Sequence, residues 1–212
     1  MTTRLQLYND ALLLCGERSL ASLSEAREPR YLLDQVWDNG GVGACLERGQ
    51  WKFAKRTTRI DYDPSITPDY GYRRAFVKPT DWKLTSAVCS DEYFNTPLLQ
   101  YTDEAGYWYC DLDVIYVQYI SDHASYGGDL STWPASFTDY AASYFAKKIV
   151  KTLTSDDATR REVYEIEKNN LLLARSSDAM AGPTQFPATG NWVNSRQGRT
   201  RRDRGSRNNL IG

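Results

Sequence analysis

Histidine is nearly absent from this chain, His123 being the single copy, and the four cysteines, Cys15, Cys45, Cys89 and Cys110, are scattered with no C-x-x-C pair among them. That scarcity excludes a zinc site built from Cys and His. Cys15 and Cys45 fall among apolar residues on helical stretches and read as buried free thiols. Long apolar runs are missing too: none approaches the roughly 20 residues of a membrane span. Met1 to Asp10 has neither the basic start nor the apolar stretch of a signal peptide. The expectation is a protein with no membrane segment that stays in the compartment where it is made.

Catalytic patterns are equally scarce. A nucleophile with its base needs His123 or a lysine beside a serine or cysteine, and a phosphate loop needs clustered glycines at a strand-to-helix turn. Gly40, Gly41 and Gly43 sit instead within a helical stretch, and Tyr126-Gly127-Gly128-Asp129 carries no lysine. His123, between Asp122 and Ala124 just after a strand, reads as a loop histidine. The acidic pairs Asp61 with Asp63, Asp91 with Glu92 and Asp111 with Asp113 keep wall-cutting glycoside hydrolysis open as an alternative. No glutamate has an apolar pocket recognisable in the sequence that would raise its pKa. The chain reads as no enzyme, with no cofactor.

What the chain has in quantity is aromatic surface and unevenly placed charge. Aromatics make up 13% of it, chiefly 15 tyrosines and 6 tryptophans, residues that combine contact area with a polar handle. The net charge of -1 conceals a division. Residues 183–212 carry Arg196, Arg199, Arg201, Arg202, Arg204 and Arg207 against Asp203 alone, a net +5, which leaves -6 on residues 1–182. An acidic body therefore bears a basic arm.

Periodicity divides the body. Leu5, Tyr8, Leu12 and Cys15 share a helical face from Arg4 to Cys15, with Ala11 and Leu14 beside it and Gly16 as a stop. A second helix runs from about Arg30 to Arg48, with a kink, close contact or break expected at Asn39, Gly40 and Gly41, since an interior glycine costs about 1 kcal/mol against alanine. From Trp51 to Ile120 short segments rich in Tyr, Val, Ile, Thr and Trp, punctuated by prolines and glycines, predict strands and turns. A hairpin is expected with strands Leu98–Tyr101 and Tyr107–Cys110 and a turn through Thr102–Gly106. Val114–Ile120 has few polar positions, the pattern of a strand buried on both faces. Pro134 opens a third helix that ends near Leu153. A fourth, from Asp156 to Ser176, has Thr154 or Ser155 as N-cap and Val163, Ile166, Asn170 and Leu173 as its stripe. The Pro, Gly, Ser, Asn and Arg composition beyond Asp178 cannot fold alone.

The expected fold is α+β: a four-helix layer of two N-terminal helices (residues 1–50) and two C-terminal helices (133–177) forming one domain, an inserted antiparallel β module (51–132), and an extended basic arm (178–212).

The order of these pieces resembles the head-to-tail adaptor family of short-tailed bacteriophages, also called tail tubular protein A or packaged-DNA stabilisation protein. Ala11-Leu12-Leu13-Leu14-Cys15-Gly16-Glu17 followed by Leu20 to Leu23 is similar to the family's A-L-x-x-x-G-E opening. Gln50-Trp51-Lys52-Phe53-Ala54 resembles its helix-terminating W-x-F-A, and Ala75-Phe76-Val77-Lys78-Pro79-Thr80-Asp81-Trp82 resembles its Y-x-P-x-D stretch. The resemblance covers residues 5 to about 175. Trp51 and Phe53, alternating like strand residues at a helix-to-strand junction, and Pro79, Asp81 and Trp82, forming a turn, read as packing motifs.

The resemblance implies a structural virion protein of the neck, made in the host cytoplasm. It implies a connector ring of twelve copies below the portal protein that continues the DNA channel, helps retain packaged DNA during packaging and ejection, and receives the next tail protein, a nozzle or hub. The arm matches no family motif. Its composition gives Phe186 and Trp192 as apolar anchors and Arg196, Arg199, Arg201, Arg202 and Arg204 as forks for acidic portal surfaces. Nucleic-acid binding through the same arginines is the rival.

Overall fold

The computed structural model describes residues 2–69, 71–154 and 156–182. Residues Met1–Ala179 form one compact unit, and of a second, Met180–Gly212, only the first three residues are described. The fold class is α+β, with helices at both ends of the first unit and strands between them.

Helix α1 spans Arg4–Leu14, capped by the Thr3 side chain accepting from Gln6 N, and buries Leu7, Tyr8, Ala11 and Leu12. The single second helix expected from the sequence is two. Helix α2 (Glu28–Asp38) starts with Pro29 in its first turn, and α3 (Gly41–Leu46) follows a break at Gly40, whose φ of 78° is left-handed. Gly41 is held by space rather than by φ. A Cβ there would lie 2.7 Å from the Val36 carbonyl oxygen and 3.0 Å from the Phe145 ring. Gly41→Ala is therefore expected to cost about 1–3 kcal/mol of stability by overpacking, measurable as a lowered denaturant midpoint with an unchanged slope.

Helix α4 (Ala135–Leu153) is the hub of the helical layer, burying Phe137, Tyr140, Ala141, Tyr144, Phe145, Ile149 and Val150 against α1, α2 and α3. Pro134 stands just before it as N-cap. Helix α5 (Asp157–Met180) runs past the expected end at Ser176 and buries Val163, Glu167 and Ala174. The expected stripe holds only in part, because Leu173 is 64% exposed and a glutamate takes an inward position. Its cap is Asp156, whose carboxylate accepts from Ala158 N and Thr159 N at 3.0 Å each. Thr154 accepts from Asp156 N instead.

The strands form two antiparallel three-stranded sheets. The first orders β1 (Lys55–Asp61), β6 (Val114–Ser121) and β3 (Trp82–Cys89) with β6 central. The second orders β2 (Arg74–Val77), β5 (Tyr107–Cys110) and β4 (Thr102–Glu104) with β5 central. The expected hairpin exists with a different partner strand. Thr102–Glu104 pairs with Tyr107–Tyr109, and the turn tightens to Ala105 and Gly106. Both turn residues have positive φ, 45° and 87°, as tight hairpins require. Segment 98–101 precedes the strand.

Strand β6 is not buried uniformly on both faces. Ile115, Val117 and Tyr119 are buried, while Val114, Tyr116 and Gln118 are half-exposed. The buried three meet Phe76, Val88, Trp108 and Cys110 in a core between the two sheets. The next residue along, Ile120, belongs instead to the helical core with Leu46, Trp51, Ala54 and Phe137. Strict alternation sends neighbouring side chains to opposite faces, so one strand serves both cores.

Candidate assembly surfaces

Trp51 and Phe53 lie where β module and helices meet, and Pro79 to Trp82 lies within the β module. Trp51–Ala54 is not strand-like as its alternation suggested: Lys52–Ala54 is a 3-10 turn, and the strand begins at Lys55. The turn lets Trp51 and Phe53 converge on one ring. Phe137 lies 4.8 Å from each, centroid to centroid, and Tyr140 stacks 6.1 Å from Trp51. Trp51 is 1% exposed, and its indole N–H donates to the Cys45 carbonyl at 3.3 Å.

Pro79 to Trp82 makes the expected turn, with Trp82 N donating to Pro79 O at 3.1 Å. Asp81, in that turn, receives Arg56 of β1 at 2.8 Å, Tyr119 of β6 at 3.2 Å and the Ser121 hydroxyl. Burial works to raise the Asp81 pKa, but the Ser121 hydrogen bond and the Arg56 guanidinium outweigh it and hold the carboxyl below its ordinary range. Burial and the adjacent carboxylate push the Tyr119 hydroxyl up to about 12.

A depressed carboxylate stabilises the fold above its unfolded pKa, and that contribution disappears as pH falls through the folded value. Acidification below about pH 4 is therefore expected to destabilise the protein. Asp81→Asn should flatten this acid limb in chemical-denaturation midpoints collected against pH. Trp82 and Trp108 lie edge to face, with the Lys78 ammonium 3.7 Å from the Trp82 centroid and paired with Asp103.

Of the candidate catalytic groups, His123 and most of the paired carboxylates make other contacts, while Glu92 is exposed. His123 Nδ1 accepts from Ser125 N at 3.1 Å within its loop. Asp61 pairs with Arg59, Asp113 with Arg74, and Asp63 and Asp91 cap turns. Hydrogen bonds from Ser65 and Thr96 lower the pKa of these last two, the direction opposite to that of a general acid. All four cysteines are free and buried, and burial raises each thiol, Cys15 to about 11.

Three features escaped the sequence. Glu167, 4% exposed, bridges Arg48 at 2.6 Å and Lys147 at 3.0 Å, locking α5 to the end of α3 and to α4. Its partners are 119 and 20 residues away, so no local pattern announces it. Arg48, Lys52, Lys55 and Arg175 rim an open cleft of about 490 Å³ beside Trp51, with Asp178 the one acidic residue on its lining. Residues 51–132 hold twelve carboxylates against eight cations, a net -4, so most but not all of the body's net negative charge lies in the β module. Phe186, Trp192, Arg196, Arg199, Arg201, Arg202 and Arg204 lie outside the described residues. Set against protein-family models and curated proteins, the chain matches none.

Proposed function

We propose that the protein is a head-to-tail adaptor of a tailed bacteriophage, one copy of a twelve-membered ring that docks beneath the portal and continues the DNA channel. The observation that carries this reading is the joint order of motifs from Ala11 to Trp82, resembling the adaptor family, on an α+β chain whose Trp51 and Phe53 fasten a β module to a helical layer and whose Asp81 ties that module's strands together. Trp51 and Phe53 secure the junction to the helices through Phe137, and Asp81 ties the start of β3 to β1 and β6 within the β module through Arg56, Tyr119 and Ser121. Such fastening suits a part whose work is mechanical.

In this reading the helical layer faces the portal and the β module faces the tail. Acidic residues along the lumen repel the DNA backbone and let it slide, in keeping with the net -6 of residues 1–182. The segment between β3 and β4 offers the next tail protein an apolar contact through Tyr93 and Leu99, 75% and 90% exposed. The arginine arm docks on acidic portal surfaces. Native mass measurement on the assembled neck is expected to give twelve copies per portal. A stable six- or eight-fold ring would refute the assignment. The arm's six arginines also favour a second reading, contact with packaged DNA. Loss of DNA retention with portal attachment intact, on deleting residues 183–212, would support it.

A further inference from the structure

Strand β1 is an open edge of the first sheet. On one side it pairs with β6, from Lys55 opposite Ile120 to Asp61 opposite Val114. Successive residues of an antiparallel strand send their main-chain N–H and C=O groups alternately to one side and the other. Two bonds just past the end of β1 fix which residues face which way. Tyr62 N donates to Asp113 O at 3.2 Å, toward β6, and Asp63 N donates to Ala75 O of β2 at 2.8 Å, away from it. The even-numbered residues of β1 therefore bond β6, and Lys55, Thr57, Arg59 and Asp61 turn their main chain outward.

This outward edge is unpaired among the described residues. Lys55 N turns back to Lys52 O, while the amides of Thr57, Arg59 and Asp61 have no acceptor on that side. Of the outward carbonyls only that of Arg59 is touched, by the Thr58 hydroxyl at 3.3 Å. Thr57, Arg59 and Asp61 are exposed as whole residues. A strand edge in this condition is a template for another strand. Its charges also run in an order that matches itself when reversed. Lys55 begins the strand, and its ammonium meets no carboxylate among the described residues. Asp61 ends it, with Arg59 beside it on the same face.

We propose that the free protein forms a two-fold dimer in which β1 of one copy pairs antiparallel with β1 of a second, Lys55 opposite Asp61, Thr57 opposite Arg59 and Thr58 opposite itself. Outward-facing residues then meet outward-facing residues. Thr57 and Arg59 exchange both N–H···O bonds across the axis, and the Asp61 amide donates to the Lys55 carbonyl. The Lys55 ammonium gains the carboxylate it lacks within its own chain. Repulsion selects the same register. The smallest slip that keeps the bonding sides matched is two residues, and it sets Lys55 opposite Arg59 in one direction and Arg59 opposite itself in the other. The contact is isologous and closes at two copies. It goes beyond the adaptor reading and does not depend on it: it belongs to the free chain, whose open edge it covers.

The test uses full-length protein. Analytical ultracentrifugation at low ionic strength and rising concentration should show monomer and dimer and nothing larger. Lys55→Asp and Asp61→Lys each set like charges across the axis at both ends of the pairing, and each should weaken dimerisation about tenfold. The double variant Lys55→Asp/Asp61→Lys restores opposite pairs and should dimerise like wild type. A mixture of the two single variants should form mixed dimers in preference to either alone. Position 58 reads the register without altering charge. Opposite residues that exchange no main-chain bonds have Cα atoms about 4.5 Å apart, within disulfide reach, so Thr58→Cys should yield a covalent dimer under mild oxidation. Thr57→Cys, more exposed but diagonal to its symmetry mate at about 7–8 Å, should link far more slowly. The four native cysteines are buried and should not interfere. Wild type that stays monomeric at every concentration, a double variant as weak as the single ones, faster linking at position 57 than at 58, or assemblies larger than a dimer would each overturn the proposal. None of these results bears on the number of copies bound to a portal, which tests the adaptor reading separately.

Discussion

Replacing Arg199, Arg201, Arg202 and Arg204 with glutamate is expected to abolish binding to the portal while leaving the folded body unchanged by circular dichroism. The substitution turns the net charge of residues 183–212 from +5 to -3, because four cations become four anions. Carboxylates on an acidic portal surface would then meet carboxylates instead of guanidinium forks, and like-charge juxtaposition costs several kcal/mol. The segment has few apolar residues to offset about 1–2 kcal/mol of backbone entropy per ordered residue, so in the proposed adaptor its attachment would depend on those pairs and on anchors such as Trp192. Thirty residues at up to about 3.3 Å each reach roughly 100 Å, enough to run along a portal subunit. Unchanged portal binding by this variant would move the contact to the helical body.

Trp51→Ala is expected to destabilise the protein by about 3–5 kcal/mol, the range for emptying a buried aromatic site. In a chain of this size that lowers the melting temperature by roughly 10 °C. The indole is 1% exposed and packs against both Phe137 and Tyr140, so no neighbour can collapse into the space without abandoning another ring. Its removal also leaves the Cys45 carbonyl without the indole donor. Phe53→Ala, at a half-buried position on the same Phe137 ring, should cost less. Calorimetry of the two variants side by side checks the order. A Trp51→Ala protein as stable as wild type would mean that the aromatic cluster does not hold the junction together.

Features encoded within a few residues of themselves were legible in the sequence, and those set by distant partners were not. The face of α1, the opening of α4 behind Pro134 and the break at Gly40 each follow from local periodicity or from one glycine's freedom, and each stands close to where it was expected. The fourth helix departs from its expected stripe of Val163, Ile166, Asn170 and Leu173, because burial there is decided by distant ionic partners. Ionic partners from α3 and α4 draw Glu167 inward, and Leu173 is left facing outward. The β4 strand was displaced for a related reason. Leu98 to Tyr101 reads as strand by composition, yet the tight turn at Ala105 and Gly106 fixes the register and puts Thr102–Glu104 opposite Tyr107–Tyr109. Of the candidate site, Trp51, Phe53, Asp81 and Trp82 were recognisable as packing residues. The basic cleft was not, because it gathers Arg48, Lys52 and Lys55 with Arg175 from a helix more than a hundred residues later.

Strand β6 has a mechanical consequence. Its Ile115, Val117 and Tyr119 belong to the core between the sheets and its Ile120 to the helical core, and it is hydrogen-bonded on both flanks, to β1 over Lys55–Asp61 and to β3 over Trp82–Cys89. A load that separates the two cores along the strand direction therefore acts on two ladders in shear. Every rung shares the strain at once, whereas a pull across the strands would break rungs one after another. The direction in which this subunit resists force best is set by the axis of a single eight-residue strand.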